Sequence, residues 1–352
     1  MMNRRSATQA IVLTGLGTAI AGRARSMDGK AAGASGLPAG QLAAFHVVHG
    51  WPGLPDAFYL GQVSGVGVDR QNRVFVFQRG DRSKLRAFEV PTMPDPAVLC
   101  FDGETGKLLN SWGAKTFVTP HGLAVDARDN VWVTDIILHQ VRKYTPEGKL
   151  LMSVGAWRVP GCDATHFNGP TGVAVEEDGS FYVSDGYGNS RVAKFSPEGK
   201  FLLAWGRKGS EPGEFIVPHG IAIGPGGRIY VCDRGNDRIQ VFTPEGKFLA
   251  QWKGPHIGKP WGIARGYDGC MYEMDGGDNT GGPANRGRII RLDREGNSQE
   301  HWGSAGRYDG QLWCGHCVAV DKEGNVYGGD VNIGMRVQKW TRSTNPCRCI
   351  PS

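Results

Sequence analysis

The chain has 352 residues, 54 of them Gly and 20 Pro, so these two types make up about a fifth where an average chain has about an eighth. Gly destabilises helix interiors, which argues against a helical bundle; 40% hydrophobic and 21% charged residues exclude a disordered chain. The net charge of +6 invites a nucleic-acid partner, but Arg4, Arg5, Arg23 and Arg25 all fall in an acid-free first 26 residues and leave only +2 beyond them. No nucleic-acid surface is expected, and 8 Cys in this length are too few for a disulfide scaffold.

Residues 1–26 open with Arg4-Arg5 and continue through an uncharged run over 10–21 to a small-residue stretch, Ala19-Ile20-Ala21. That layout predicts an export signal of twin-arginine type, followed by a linker over 27–43, and hence a periplasmic or secreted protein. Nothing further on resembles an apolar run of eighteen residues, so no membrane span is expected.

From here the chain repeats. His-Gly-Leu-Ala-Val (121–125) leads through Val131–Asp135 to Tyr-Thr-Pro-Glu-Gly-Lys (144–149). Thr-Gly-Val-Ala-Val (171–175) leads through Phe181–Asp185 to a second Pro-Glu-Gly-Lys, and His-Gly-Ile-Ala-Ile (219–223) through Ile229–Asp233 to a third. Looser copies begin at Ser64, Trp261 and His316. Each copy holds four short alternating runs separated by turn residues, which is the pattern of a propeller blade. The sixth copy lacks an outer strand, and 44–51 reads as the missing one. The expected fold is therefore an all-β, six-bladed propeller over 44–342, closed by the N-terminal strand in the last blade, with a tail over 343–352. Loops at 81–98, 156–170 and 276–287 exceed the blade norm, as binding loops do.

The residue that opens the first strand of each copy is Ser64, His121, Thr171, His219, Trp261 and His316. His thus falls on alternate blades, about 120° apart in a six-bladed ring, where three imidazoles converge on the axis. Three protein ligands with an open fourth position make a catalytic metal site, and Zn²⁺ suits neutral imidazoles, with other divalent transition metals as alternatives. Random placement of His at three such positions has odds on the order of 10⁻⁵. His139 and His301 break the register and are read as structural.

Just past the second strands, Arg79, Ile136, Gly186 and Arg234 share a register position, with Tyr187 one further on. Cationic neighbours and a metal would favour tyrosinate and suit Tyr187 for general-base work, and Arg provides two-pronged recognition of a carboxylate.

The blade sequences resemble NHL repeats. The blocks Gly-Gln-Val-Ser-Gly-Val (61–66), Phe-Gln-Arg-Gly-Asp (77–81), Pro-His-Gly-Leu (120–123), Thr-Asp-Ile-Ile-Leu-His-Gln (134–140) and Ser-Asp-Gly-Tyr-Gly-Asn-Ser-Arg (184–191) are similar to those of peptidyl-α-hydroxyglycine α-amidating lyases. The resemblance spans about 45–341. It implies catalytic zinc on His121, His219 and His316, an active-site Tyr at Tyr187 and active-site Arg at Arg79 and Arg234. The implied reaction cleaves a carbinolamide to an amide and glyoxylate. It also implies a structural calcium held by carbonyls at Val66 and Leu123 and by an Asp after the third His; Cys317 stands at that last position. One family disulfide falls on Asn168 and Gly188, and the other leaves Cys232 without a second Cys. Cys314 and Cys317 flank His316, where they are expected to pair together, to pair with Cys347 or Cys349, to serve as soft ligands, or to be structural, the last being preferred. The propeller is expected to take up nearly all of these 352 residues, leaving no room among them for the copper monooxygenase that makes the family's substrate, so another N-(hydroxyalkyl) amide is an alternative natural substrate. Two other functions fit a propeller: metal-assisted ester or lactone hydrolysis, and a non-catalytic binding platform.

Overall fold

The computed structural model describes residues 45–343, except 57, 81–89 and 279–284. The expected export signal, the linker and all but the first residue of the C-terminal tail lie outside the described residues, as do Cys347, Cys349 and much of two of the long loops.

Six four-stranded antiparallel sheets follow one another along the chain and around a central channel. Their innermost strands are Val63–Val68, Pro120–Val125, Pro170–Val175, Pro218–Ile223, Pro260–Arg265 and Gly315–Val320, in blades 1 to 6. Each innermost strand packs beside those of its two neighbours, and blade 6 beside blade 1 completes the circle. The last blade takes Phe45–Val47 as its outer strand, with Phe45 opposite Arg342 and Val47 opposite Trp340, so the ring closes as the repeats require. A short parallel pair, Ser304–Ala305 with Gln311–Leu312, lies in the loop before blade 6, and the parallel bridge Lys208–Phe215 is its counterpart before blade 4.

Alternation along the strands sends apolar side chains to both faces of every blade. Six apolar clusters result, one between each neighbouring pair; Trp132, Phe167, Phe181 and Phe195, for instance, fill the space between blades 2 and 3. Each fully enclosed side chain of this size contributes roughly 1.5–3 kcal/mol. The Pro-Glu-Gly turns dock on the preceding blade: Gly148 (φ 92°) and Gly246 (φ 83°) lie flat on Trp112 and Trp205, where a Cβ would fall 2.6 Å from the indole. Trp51 meets Gly106 of blade 1 in the same way, which carries the packing scheme across the closure.

A second device fixes where each innermost strand begins. The Asp that ends the second strand in blades 2 to 6 is buried and accepts N–H bonds from the segment leading into the first strand. Asp135 takes Val118 and Thr119 at 2.7 and 2.9 Å, Asp233 takes Ile216 at 2.8 Å, and Asp330 takes Trp313 and Cys314 at 2.7 and 2.5 Å. These charge-assisted bonds pin the residues just upstream of His121, His219 and His316. Among the described residues no helix is long and apolar enough to cross a membrane.

Candidate metal centre

His121, His219 and His316 meet at one end of the channel. Their ring centroids form a nearly equilateral triangle with sides of 4.7, 4.7 and 4.8 Å, and the ring planes cross at 70–76°. All three are buried, and one nitrogen from each lies within 4.8 Å of the others; among the described residues this is the one His/Cys/Asp/Glu cluster with metal-binding spacing. The threefold placement follows from the register: the ring brings blades 2, 4 and 6 to the axis at one height.

Each imidazole is oriented by the next blade. His121 Nδ1 donates to the Thr171 carbonyl at 2.6 Å, His219 Nδ1 to Trp261 at 2.5 Å and His316 Nδ1 to Ser64 at 2.8 Å. A carbonyl can only accept, so Nδ1 carries the hydrogen and Nε2 keeps its lone pair, the arrangement that ligating imidazoles require. The carbonyl comes from the register-equivalent residue of the following blade. That approach is possible because Gly follows His121 and His219: a Cβ on Gly122 would fall 2.6 Å from Thr171 O, and one on Gly220 2.9 Å from Trp261 O. After His316 the residue is Cys317, and the space is made by Gly329, whose added Cβ would fall 2.5 Å from Cys317 Sγ. Burial first, then the charges of Arg79 and Arg234 and the neighbouring imidazoles, hold all three His well below the ordinary 6.5. They are neutral donors at neutral pH.

Tyr187 and the two arginines occupy the same end. Tyr187 Oη lies 3.1 Å from His121 Nε2 and 3.5 Å from His219 Nε2. Arg234 Nη1 donates to Tyr187 Oη at 3.5 Å, and the guanidinium lies 4.2 Å from the ring centroid of Trp261, a cation–π stack. Arg79 is enclosed, and its fork reaches Gln62 Oε1 at 3.3–3.4 Å. Burial lowers its pKa; Tyr187 opposes that shift and Arg234 adds to it. The register grouped both arginines with Tyr187, but direct contact with the phenol is made by Arg234, while Arg79 acts on it through charge. Trp261, Gln62 and the three carbonyls were not read as site residues; Trp261 shares the His register position, which was the available signal.

The remaining expectations separate. Cys314 and Cys317 are both free thiols, so they do not pair with each other. Cys314 packs with Trp261 and Val331, and burial pushes its thiol up to about 12 and that of Cys317 higher still; both are neutral and lie outside the three-His cluster. Val66, Leu123 and Cys317 line the channel, and among the described residues that line it there is no Asp or Glu. A hard cation that takes oxygen and carboxylate ligands is not matched by that donor set. Asn168 and Gly188 are adjacent, with the Asn168 side chain filling the space beside Gly188. His139 is buried but outside the three-His cluster, its Nδ1 accepting Gly169 N–H at 3.0 Å.

An NHL-repeat family model matches residues 167–195 and 215–242, in blades 3 and 4. The chain is similar to proteins named peptidyl-alpha-hydroxyglycine alpha-amidating lyase, at 33–34% identity over about half its length. The peptidyl-glycine alpha-amidating monooxygenase of Mus musculus is 42% identical over 203 residues, which cover 51% of this chain and 20% of that protein. The peptidyl-alpha-hydroxyglycine alpha-amidating lyase 2 of Drosophila melanogaster is 34% identical over 201 residues, 53% of this chain and 48% of that one. The chain thus spans between a fifth and a half of these relatives. A streptogramin B lyase structure shares the fold, with a TM-score of 0.55 at 16% identity over 85% of this chain and 98% of that one.

Proposed function

We propose that this chain is a metal-dependent carbon–nitrogen lyase that cleaves a carbinolamide, R–CO–NH–CH(OH)–COO⁻, to an amide and glyoxylate, or a related N-(hydroxyalkyl) amide to its amide and carbonyl compound. The observation that carries this reading is the convergence of three buried, carbonyl-oriented imidazoles with Tyr187 and two arginines at one end of the channel. The likeness to proteins named as α-amidating lyases supports it.

The donor set fits Zn²⁺. His316 Nε2 is buried with no hydrogen-bond partner among the described residues, an orphaned lone pair that a metal would satisfy. Three neutral imidazoles leave the open fourth position of a catalytic site. When bound, Zn²⁺ would act as a Lewis acid on negative charge developing at the substrate oxygen. The protein's own groups do the rest. Tyr187, as tyrosinate, takes the carbinol proton. The C–O bond becomes the carbonyl of glyoxylate as the C–N bond breaks, the electron pair leaves on the amide nitrogen, and Tyr187 returns the proton there. Arg234 steadies the charge on Tyr187 Oη, and the buried Arg79 receives the substrate carboxylate. The export signal read in residues 1–26 would place this activity outside the cytoplasm.

Zinc-loaded protein incubated with α-hydroxyhippurate tests the reading: benzamide and glyoxylate should form in equal amounts. Folded, fully loaded protein that releases no glyoxylate would contradict it.

A further inference from the structure

Three arginines are buried among the described residues: Arg79, Arg191 and Arg238. Arg191 donates to Asp185 at 3.0 Å and Arg238 to Asp233 at 2.8 Å, in both cases the Asp that ends the second strand of the same blade. Blade 1 has Gln78 at that place, and Arg79 has no carboxylate partner among the described residues. Its Nε and Nη2 reach the amide oxygen of Gln62 instead.

Gln62 is itself held on several sides. It is fully enclosed. Its Oε1 also accepts the N–H of Asn332, which follows the second strand of blade 6, at 3.0 Å. Its backbone N–H donates to Gly80 O, and its carbonyl accepts Arg79 N–H, both at 3.0 Å. The amide therefore bridges the seam between blades 6 and 1 and fixes the guanidinium fork in one orientation. An amide oxygen is a dipole without net charge. It can aim a buried cation, but it cannot neutralise it as Asp185 and Asp233 neutralise theirs. Among the described residues, those that line the channel beside the three His include no carboxylate either.

We propose that Gln62 is a positioning residue: it holds Arg79 as an oriented cation, uncompensated among the described residues, whose counter-ion is the carboxylate of the substrate. The inference rests on the lyase reading for the identity of that anion, and on geometry alone for the role of Gln62. A neutral acceptor at this site is then a requirement of function, because a carboxylate there would occupy the arginine permanently.

The test compares two carbinolamides, α-hydroxyhippurate and N-(hydroxymethyl)benzamide, which lacks the carboxylate. It also measures calorimetric binding of hippurate, which lacks the hydroxyl and does not react. In Gln62→Glu, hippurate affinity and kcat/KM for α-hydroxyhippurate should fall roughly 10- to 100-fold, mainly through KM, while N-(hydroxymethyl)benzamide stays within about threefold. Gln62→Met, which removes the acceptor but adds no charge, should lose less on the same ratio, and it serves as the variant of record if Gln62→Glu does not fold. Equal losses on both carbinolamides, unchanged hippurate affinity in a folded Gln62→Glu protein, or no hippurate binding by the wild type would each overturn the proposal. Hippurate binding that is lost in Gln62→Glu, in a protein that turns over neither carbinolamide, would sustain the role of Gln62 and sink the lyase reading alone.

Discussion

Replacing Tyr187 by Phe removes one oxygen from the site and little else. The side chain is 39% exposed, and its hydroxyl contacts, at 3.1 and 3.5 Å, are long. Loss of such contacts costs folding no more than about 1 kcal/mol, a shift of a few degrees in melting temperature. The three imidazoles keep their carbonyl partners, since none of those bonds involves Tyr187, so zinc content should not change. Catalysis should suffer heavily. A positioned general base supplies roughly 10²- to 10⁴-fold, or about 2.7–5.4 kcal/mol of barrier. The assay is glyoxylate release from α-hydroxyhippurate, with metal content and melting temperature measured on the same sample. A kcat within about threefold of wild type, at equal zinc content, would remove Tyr187 from proton transfer and leave its role structural.

The buried imidazoles make metal-free protein sensitive to acid. The unfolded chain binds protons near pH 6.5 while folded His121, His219 and His316 resist them. Below that pH the unfolded state therefore holds more protons, and stability falls as pH falls, by up to about 4 kcal/mol per unit for three groups. Denaturant midpoints of apoprotein between pH 7.5 and 5.5 should show this slope, and it should shrink in His219→Ala; a flat profile would contradict it. Glu273 sits at a strand position that is Val76, Val133, Val183 and Val231 in blades 1 to 4, fully buried, with neither carboxylate oxygen hydrogen-bonded among the described residues. Burial raises its pKa well above the ordinary value, with Asp275 adding to the shift. Glu273→Met should therefore stabilise the fold by about 1–3 kcal/mol at pH 7.5. Because the unfolded Glu ionises above about 4.5, the gain should shrink as pH falls toward that value. A destabilised Glu273→Met protein at pH 7.5 would show that the carboxyl has a partner.

The blades, the closing strand and the three His were legible because all follow from one register repeated six times. A residue's place in the copy fixes its height and its angle about the axis, and that is enough to bring His121, His219 and His316 together. What the register did not carry is whatever depends on the neighbouring blade. The carbonyls that orient the imidazoles belong to Thr171, Trp261 and Ser64, which share the His register position but act through the backbone, so their differing side chains did not mark the role. Arg79 and Arg234 share a register position yet differ in fate, because one meets Gln62 inside the seam and the other meets Trp261 at the mouth. Cys317 and Gly329 accommodate each other across two strands, a packing exchange that Cys317 alone could not reveal. Glu273 was visible only as an acidic residue at a position that is Val in four of the six copies and Gly328 in the last, a signal that repeats offer when they are compared position by position.

Metal analysis of protein purified without an affinity tag tests the central claim most directly. Wild type should carry about one equivalent of a divalent transition metal, zinc foremost, and His219→Ala less than roughly a tenth of an equivalent while it keeps its β-sheet signature. Wild type with no more metal than the His219→Ala variant, even after zinc is supplied and excess removed, would contradict the account at its base.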